Sequence, residues 1–182
     1  MKSVLNHVAI LVESIESVLE KNQFSSNLLG EIEEFPSEGT RELYIGSDNQ
    51  MSRLLLMQAN GPGPYQTALN KRGPGLHHIA LDVLDIDEFV GSLVGSGWLL
   101  HPKSFELYKS HKQIYLSRPG VPTLMEIQER EELVDDEYFI EELEFNFGEE
   151  RLLAVLGCEL LRMNNEIKMK IEDKSFLIKD LL

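Results

Sequence analysis

A short module written twice constrains this chain more than any other feature of its sequence. His7-Val8-Ala9-Ile10-Leu11-Val12, followed by Glu13-Ser14-Ile15-Glu16, is echoed by His78-Ile79-Ala80-Leu81-Asp82-Val83 and Leu84-Asp85-Ile86-Asp87. The offset in numbering is 78 − 7 = 71. Each copy then reaches a second similar stretch, Leu56-Met57-Gln58 in the first and Leu124-Met125-Glu126 in the second, at an offset of 126 − 58 = 68. A duplicated fold has a pseudo-two-fold axis, and side chains at matching places in its copies can meet on that axis. His7, Gln58, His78 and Glu126 are all able to bind a metal. The pattern therefore predicts a metal site at the centre of a divided sheet.

The elements fall into place around that repeat. Residues 5–12 alternate as a strand, with Val8, Ile10 and Val12 on one face and His7, Ala9 and Leu11 on the other. Ser14 is placed to cap a helix running to about Lys21. Strands follow over 40–46 and 53–58, and Gly61-Pro62-Gly63-Pro64 breaks the chain before a short helix near 65–71. The second copy repeats the order: a strand over 76–83, a helix over 85–96 and strands over 98–100, 113–116 and 123–128. A turn is expected at Arg118-Pro119-Gly120-Val121-Pro122. The fold class this gives is α+β, with two βαβββ modules (4–60 and 75–129) building a divided, half-barrel-like sheet within residues 1–129. Residues 130–182 match neither copy. They read as an acidic linker, a helix over 149–162 weakened by Gly157, and a small hairpin, 166–171 with 175–178, turning at Glu172-Asp173-Lys174.

Bulk properties narrow the classes. The chain has 182 residues, one cysteine and a formal net charge of −14. Such a charge repels phosphate backbones, so nucleic acid is not an expected partner. No apolar run approaches the ~20 residues that span a bilayer, and residues 1–7 lack the pattern of a secretory signal. A lone cysteine forms no intramolecular disulfide, and the cytoplasm is the expected location. Cys158 lies in an apolar stretch and reads as inert core. Residues 126–150 hold twelve acidic side chains against one base, Arg130, and read as a solvated connection.

The repeat, with a histidine opening each copy, resembles the vicinal oxygen chelate superfamily of glyoxalases, bleomycin-resistance proteins and ring-cleaving dioxygenases. The resemblance covers about residues 4–129. Leu54-Leu55-Leu56-Met57-Gln58, a Gly/Pro break and then Asn70-Lys71-Arg72-Gly73-Pro74-Gly75-Leu76-His77-His78-Ile79-Ala80 look most like the methylmalonyl-CoA epimerases. That resemblance implies a divalent metal on His7, Gln58, His78 and Glu126. It also implies a carboxylate base near Pro36-Ser37-Glu38-Gly39, where Ser37 takes the acid's place and Glu38 stands beside it. The family's glycine-rich stretch is replaced here by Lys103-Ser104-Phe105-Glu106-Leu107-Tyr108-Lys109-Ser110-His111-Lys112. By analogy the chain pairs as a homodimer, and the tail could cover a sheet edge, complete the dimer or shield the cleft.

Two imidazoles, an amide oxygen and a carboxylate suit Zn²⁺, Co²⁺, Ni²⁺, Mn²⁺ or Fe²⁺. Such an ion would act as a Lewis acid on a substrate carbonyl while a base removes the neighbouring proton. Glu126, as ligand and base at once, and Glu38 are the catalytic candidates. A main-chain amide in a turn is the alternative partner for Gln58. His77 is expected to face away from His78. Lys103, Lys109 and Lys112 form a basic island that could meet an anionic carbonyl substrate such as an acyl-CoA, or be a solvated loop. The leading reading is thus a metal-dependent isomerase or lyase of epimerase type. The alternatives are a glyoxalase I-like lactoylglutathione lyase and a non-catalytic, resistance-type binder. A ring-cleaving dioxygenase uses two histidines and one glutamate, and a fourth ligand at Gln58 counts against it.

Overall fold

The computed structural model describes residues 1–121 and 123–182. The first module runs β1 (Val4–Val12), α1 (Ile15–Asn22), β2 (Glu33–Phe35), β3 (Thr40–Ile45) and β4 (Arg53–Ala59). A connecting helix, α2 (Pro64–Arg72), leads to the second: β5 (Gly75–Val83), α3 (Ile86–Ser92), β6 (Leu99–Leu100), α4 (Ser104–His111), β7 (Gln113–Ser117) and β8 (Leu124–Glu129). All eight strands form one sheet in the order β2-β3-β4-β1-β5-β8-β7-β6. Each module supplies one half, and the halves join where β1 and β5 pair antiparallel. This is the α+β, two-module architecture expected from the repeat.

Alternation sorts the side chains of the central strands. Val8, Ile10, Val12, Leu54, Leu56, Ile79 and Leu81 are buried on the face that carries α1 and α3. Ala9, Leu11, Leu55 and Met57 lie on the opposite face, where Tyr65, Ala68 and Leu69 of the α2 region pack on them. The helices start alike in both modules. Ser14 and Asp85, which stand at the repeat offset (85 − 14 = 71), accept from the backbone amides of Ser17 and Glu88.

Several expectations need correction. Residues 104–111 form a helix where the sequence suggests a loop; the stretch holds no glycine or proline, and Lys112 ends it at φ 50°. α3 stops at Ser92, short of Ser96, because the chain then turns through Gly95 and Gly97 at positive φ. The turn expected at residues 118–122 closes with Val121 N–H on the Arg118 carbonyl, while Pro122 lies outside the described residues.

The tail differs most. Phe139, Ile140, Leu143, Phe145 and Phe147 are buried, although they are set among acids. From Leu143 to Phe147 the inward residues alternate with Glu144 and Asn146, the period of a strand. β9 (Glu142–Phe145) therefore runs through the supposed linker. The expected helix shrinks to α5 (Glu150–Ala154), which cannot continue through Gly157 at φ +67°. β10 (Leu161–Met163), β11 (Lys168–Ile171), β12 (Lys174–Leu177) and α6 (Ile178–Leu181) complete the tail. The hairpin turns at Glu172 and Asp173, both at positive φ. These strands make a second sheet, β10-β9-β11-β12. Its apolar residues share one buried cluster with Val8, Phe89 and Trp98 of the repeat.

That shared cluster predicts that the tail unfolds together with the repeat. Phe147→Ala should cost about 3–5 kcal/mol and lower the midpoint of a single transition that Trp98 fluorescence also follows. A melt in which the Trp98 signal keeps its wild-type midpoint would show that residues 130–182 fold separately.

Candidate metal centre

Burial and local geometry bring three of the four expected ligands together. His7, on β1, has its Nε2 3.0 Å from Nε2 of His78, on β5. Nε2 of His78 is 3.3 Å from Oε2 of Glu126, on β8. One donor atom from each residue lies within 4.8 Å of the others, and all three residues are buried. Donors about 2.1 Å from a shared ion stand about 3 Å apart at right angles and about 3.4 Å apart at the tetrahedral angle, so the His7–His78 and His78–Glu126 spacings fit a shared ion.

The electrostatics fit as well. Burial, helped by the charges of Arg53 and Arg130, lowers the His7 pKa to about 3. Burial and the neighbouring imidazoles hold His78 well below its ordinary value. Both rings are therefore neutral near pH 7 and can offer a lone pair, the form a metal requires. Burial pushes Glu126 upward, opposed by hydrogen bonds from Tyr115 Oη (3.0 Å) and Gln113 Nε2 (2.6 Å). Those two donors fix the carboxylate in place.

Gln58 does not join this group. Its Oε1 accepts from the Ile15 backbone N–H at 3.0 Å, at the N-terminus of α1. Glu129 does the same for Ile86 N–H at the start of α3, at 3.1 Å. Gln58 and Glu129 stand at the repeat offset (129 − 58 = 71), as do Ile15 and Ile86 (86 − 15 = 71), so Glu129 is the true counterpart of Gln58. The strand registers agree. β1 pairs β4 with Ala9 opposite Leu55, and β5 pairs β8 with Ala80 opposite Glu126. The position equivalent to Glu126 is therefore Leu55, a buried leucine. Matching the two similar apolar strings by their ends puts them three positions out of step, and an odd slip moves a strand residue to the other face.

A second correction concerns His77. The β1–β5 ladder shifts register at Asn6 and at His77, and such bulges turn an extra side chain toward its neighbour's face. Asn6 Oδ1 lies 2.8 Å from His7 Nδ1, and His77 Nδ1 lies 3.0 Å from His78 Nδ1. His77 also lines a cleft of about 380 Å³ beside the metal group, with Glu38, Tyr65, His78, Lys103 and Tyr115.

Glu38 reaches that cleft because its loop is folded tightly. Glu38 and Gly39 both donate backbone N–H to the Phe35 carbonyl, and Asn60 N–H bonds the Gly39 carbonyl. Tyr65 Oη then donates to Glu38 Oε2 at 3.0 Å. Of the three candidate lysines only Lys103 lines the cleft. Lys109 borders a separate hollow with Phe105 and Tyr108, and Lys112 pairs with Glu129 at 3.5 Å. α4 carries them away from the opening on its other sides.

Sequence reasoning misses Glu42. It pairs with Met57 across β3 and β4 and so shares the face of Leu55 and His7. Burial raises its pKa to about 7, with the charges of Glu38, Glu126 and Glu33 adding to the effect. Strand alternation is the available signal: Glu42 interrupts Thr40–Ile45 on the face that Leu43 and Ile45 leave open.

A two-module sheet thus carries at its seam two histidines and a glutamate that could hold a metal ion. The family model for the Glyoxalase/Bleomycin resistance protein/Dioxygenase superfamily matches residues 6–115, and the chain belongs to that superfamily. Among solved structures, a hypothetical protein from Bacillus halodurans C-125 is 23% identical over 75% of this chain and all of its own, with a TM-score of 0.55. Methylmalonyl-CoA epimerase from Mycobacterium tuberculosis is 22% identical over 69% of this chain and 86% of its own, with a TM-score of 0.52. A methylmalonyl-CoA epimerase in complex with methylmalonyl-CoA and NH4+ is 20% identical over 70% of this chain and 96% of its own, at 0.51. These are likenesses of fold. No curated protein matches the chain. Among the described residues no helix is long and apolar enough to cross a membrane.

Two substitutions separate cap from ligand. Gln58→Leu should cost about 1 kcal/mol through the lost helix-terminal hydrogen bond and leave metal stoichiometry unchanged. His78→Ala should abolish stoichiometric Co²⁺ or Zn²⁺ binding in titration calorimetry. Loss of metal in the Gln58 variant would restore that residue to the ligand set.

Proposed function

We propose that the protein is a divalent-metal-dependent enzyme that abstracts a proton next to a substrate carbonyl, an isomerase or lyase of epimerase type. The supporting observation is the pairing of a three-donor metal group with carboxylates on the same face. His7, His78 and Glu126 would hold the ion, and their chemistry suits Co²⁺, Ni²⁺, Zn²⁺, Mn²⁺ or Fe²⁺. When bound it supplies Lewis-acid polarisation of a carbonyl oxygen. Three protein ligands leave room for two neighbouring substrate oxygens.

The chain's own residues supply the rest. Glu126 is restrained by Tyr115 and Gln113 and serves as ligand rather than as a mobile base. Glu42 has a proton affinity near neutrality, where a general base works best, and takes that role. Glu38, on the cleft wall under Tyr65, is the second carboxylate and tunes Glu42 by its charge. Lys103 at the same wall offers a positive charge to an anionic carbonyl compound, an acyl-CoA among them. Pairing as a homodimer belongs to this reading and is checked by light scattering.

A second reading gains from Leu55. Two histidines and one carboxylate with open positions form the facial triad of non-haem iron oxygenases, and the fourth ligand that argued against a dioxygenase is absent.

The metal-loaded protein should exchange the α proton of a 2-substituted acyl thioester with solvent deuterium. Exchange should rise with pH through about 7 as Glu42 ionises, and Glu42→Gln should lose it while keeping the metal. Absence of exchange across a panel of such thioesters, with oxygen uptake on catechols by the Fe²⁺ form, would replace this reading by the oxygenase. Absence of both would leave the binder.

The same ionisation has a stability consequence. Glu42 has a folded pKa raised above its unfolded value, so its contribution is full below about 4.5 and is lost as pH rises through about 7. Urea midpoints of wild type and Glu42→Gln should therefore diverge in favour of the variant between about pH 5 and pH 8. Parallel pH dependences would show that Glu42 is solvated.

A further inference from the structure

We propose that Asn6 and Asp82 are positioning residues that lock His7 in the one tautomer able to ligate, with Nδ1 protonated and Nε2 bare. The inference rests on the metal reading above. It follows from a chain of contacts whose directions can be assigned from donor and acceptor chemistry alone.

Asp82 sits on β5 and is buried. Its Oδ1 accepts from Arg130 Nε at 3.2 Å, and Arg130 in turn donates to Gln128 Oε1 at 2.8 Å. The other oxygen, Oδ2, faces Asn6 at 2.8 Å. An ionised carboxylate only accepts hydrogen bonds, so the amide nitrogen of Asn6 must point at it. The amide oxygen of Asn6 must then point the other way, at Nδ1 of His7, 2.8 Å distant. A carbonyl oxygen also only accepts, so His7 Nδ1 must carry the hydrogen. In a neutral imidazole this leaves the lone pair on Nε2, the atom that faces His78 Nε2. The charge of Arg130 is thus connected through two side chains to the ligand atom, a route of the kind by which outer partners orient metal-bound histidines.

The other half of the repeat lacks this polarity. His77 takes the place of Asn6 at the repeat offset (77 − 6 = 71) and faces His78 Nδ1 at 3.0 Å. An imidazole nitrogen can donate or accept. The His77–His78 contact by itself runs in either direction, so what faces Nε2 decides the His78 tautomer. Without a metal, the bare Nε2 of His7 and the Glu126 carboxylate call for a hydrogen on His78 Nε2, and a bound metal would call for its lone pair. Leu11 occupies the position equivalent to Asp82 and offers no anchor. The first-half ligand is fixed from its outer side, whereas the outer partner of the second-half ligand can follow either tautomer, although the scaffold beneath them is symmetric.

The test has two readouts, neither of which is turnover. Nitrogen-15 spectra of the imidazoles in the metal-free wild type should show His7 in the Nδ1–H form; an Nε2–H form would overturn the proposal. Co²⁺ titrated into Asn6→Ala should bind about 10- to 100-fold more weakly than to wild type. The exchanged pair Asn6→Asp with Asp82→Asn should recover most of that loss, because a carboxylate at position 6 accepts from both the imidazole and the amide at position 82. Unchanged affinity in Asn6→Ala, or no recovery in the exchanged pair, would overturn it. A wild type that binds neither Co²⁺ nor Zn²⁺ would defeat the metal reading instead, and the wild-type imidazole spectrum would still decide the tautomer. That spectrum also decides if Asn6→Ala fails to fold.

Discussion

The antiparallel pairing of β1 with β5 carries the architecture of the centre. Both strands are the opening strand of their module, and their pairing places the pseudo-two-fold axis between two copies of the same residue. It also puts the imidazoles within 3.0 Å of one another, at the middle of a sheet to which each module gives four strands. Burial there keeps both rings neutral, so the fold sets the chemical state of the site as well as its geometry. Without that ladder, neither the convergence of donors nor the low proton affinity would follow.

Symmetry of the scaffold and asymmetry of the site coexist because they depend on different faces. Residues that build the scaffold obey the repeat period closely: the helix caps Ser14 and Asp85, and the helix-terminal acceptors Gln58 and Glu129. Residues around the histidine pair have diverged, with Leu55 against Glu126, Asn6 against His77, and Leu11 against Asp82. One half therefore presents an apolar wall under α2, and the other presents the carboxylate and its two hydrogen-bond donors. The candidate metal group is therefore offset toward the second module, which supplies two of its three residues.

The tail illustrates how charge can hide a strand. Its acidic residues suggest solvation, yet every second position from Leu143 to Phe147 is apolar and buried. Ser52 fixes this segment to the repeat, its hydroxyl donating to the Ile140 carbonyl at 2.8 Å and accepting from Ile140 N–H at 3.1 Å. At the chain start Ser3 bonds the Gly157 carbonyl through its N–H and the Leu156 carbonyl through its hydroxyl. The tail is thereby tied to the start of β1 and to the segment that leads into β4, the strand beside it.

Sequence alone determined the two-module plan, the strand that opens each module, the helix caps and the pair His7 and His78, because repeat spacing and alternation are local properties of the chain. It also drew attention to Glu126, since a carboxylate in an apolar strand needs a partner. Only the tertiary structure decided which residue stood fourth. A match of apolar strings is blind to pairing register, and a slip of three positions exchanges the two faces of β4, turning a helix acceptor into a supposed ligand. The bulges that bring Asn6 and His77 to the imidazoles, the helix over 104–111 that takes Lys109 and Lys112 from the cleft, and the raised proton affinity of Glu42 depend on contacts between distant segments. Local sequence permits the helix and marks Glu42 by alternation, but it does not say what either one faces.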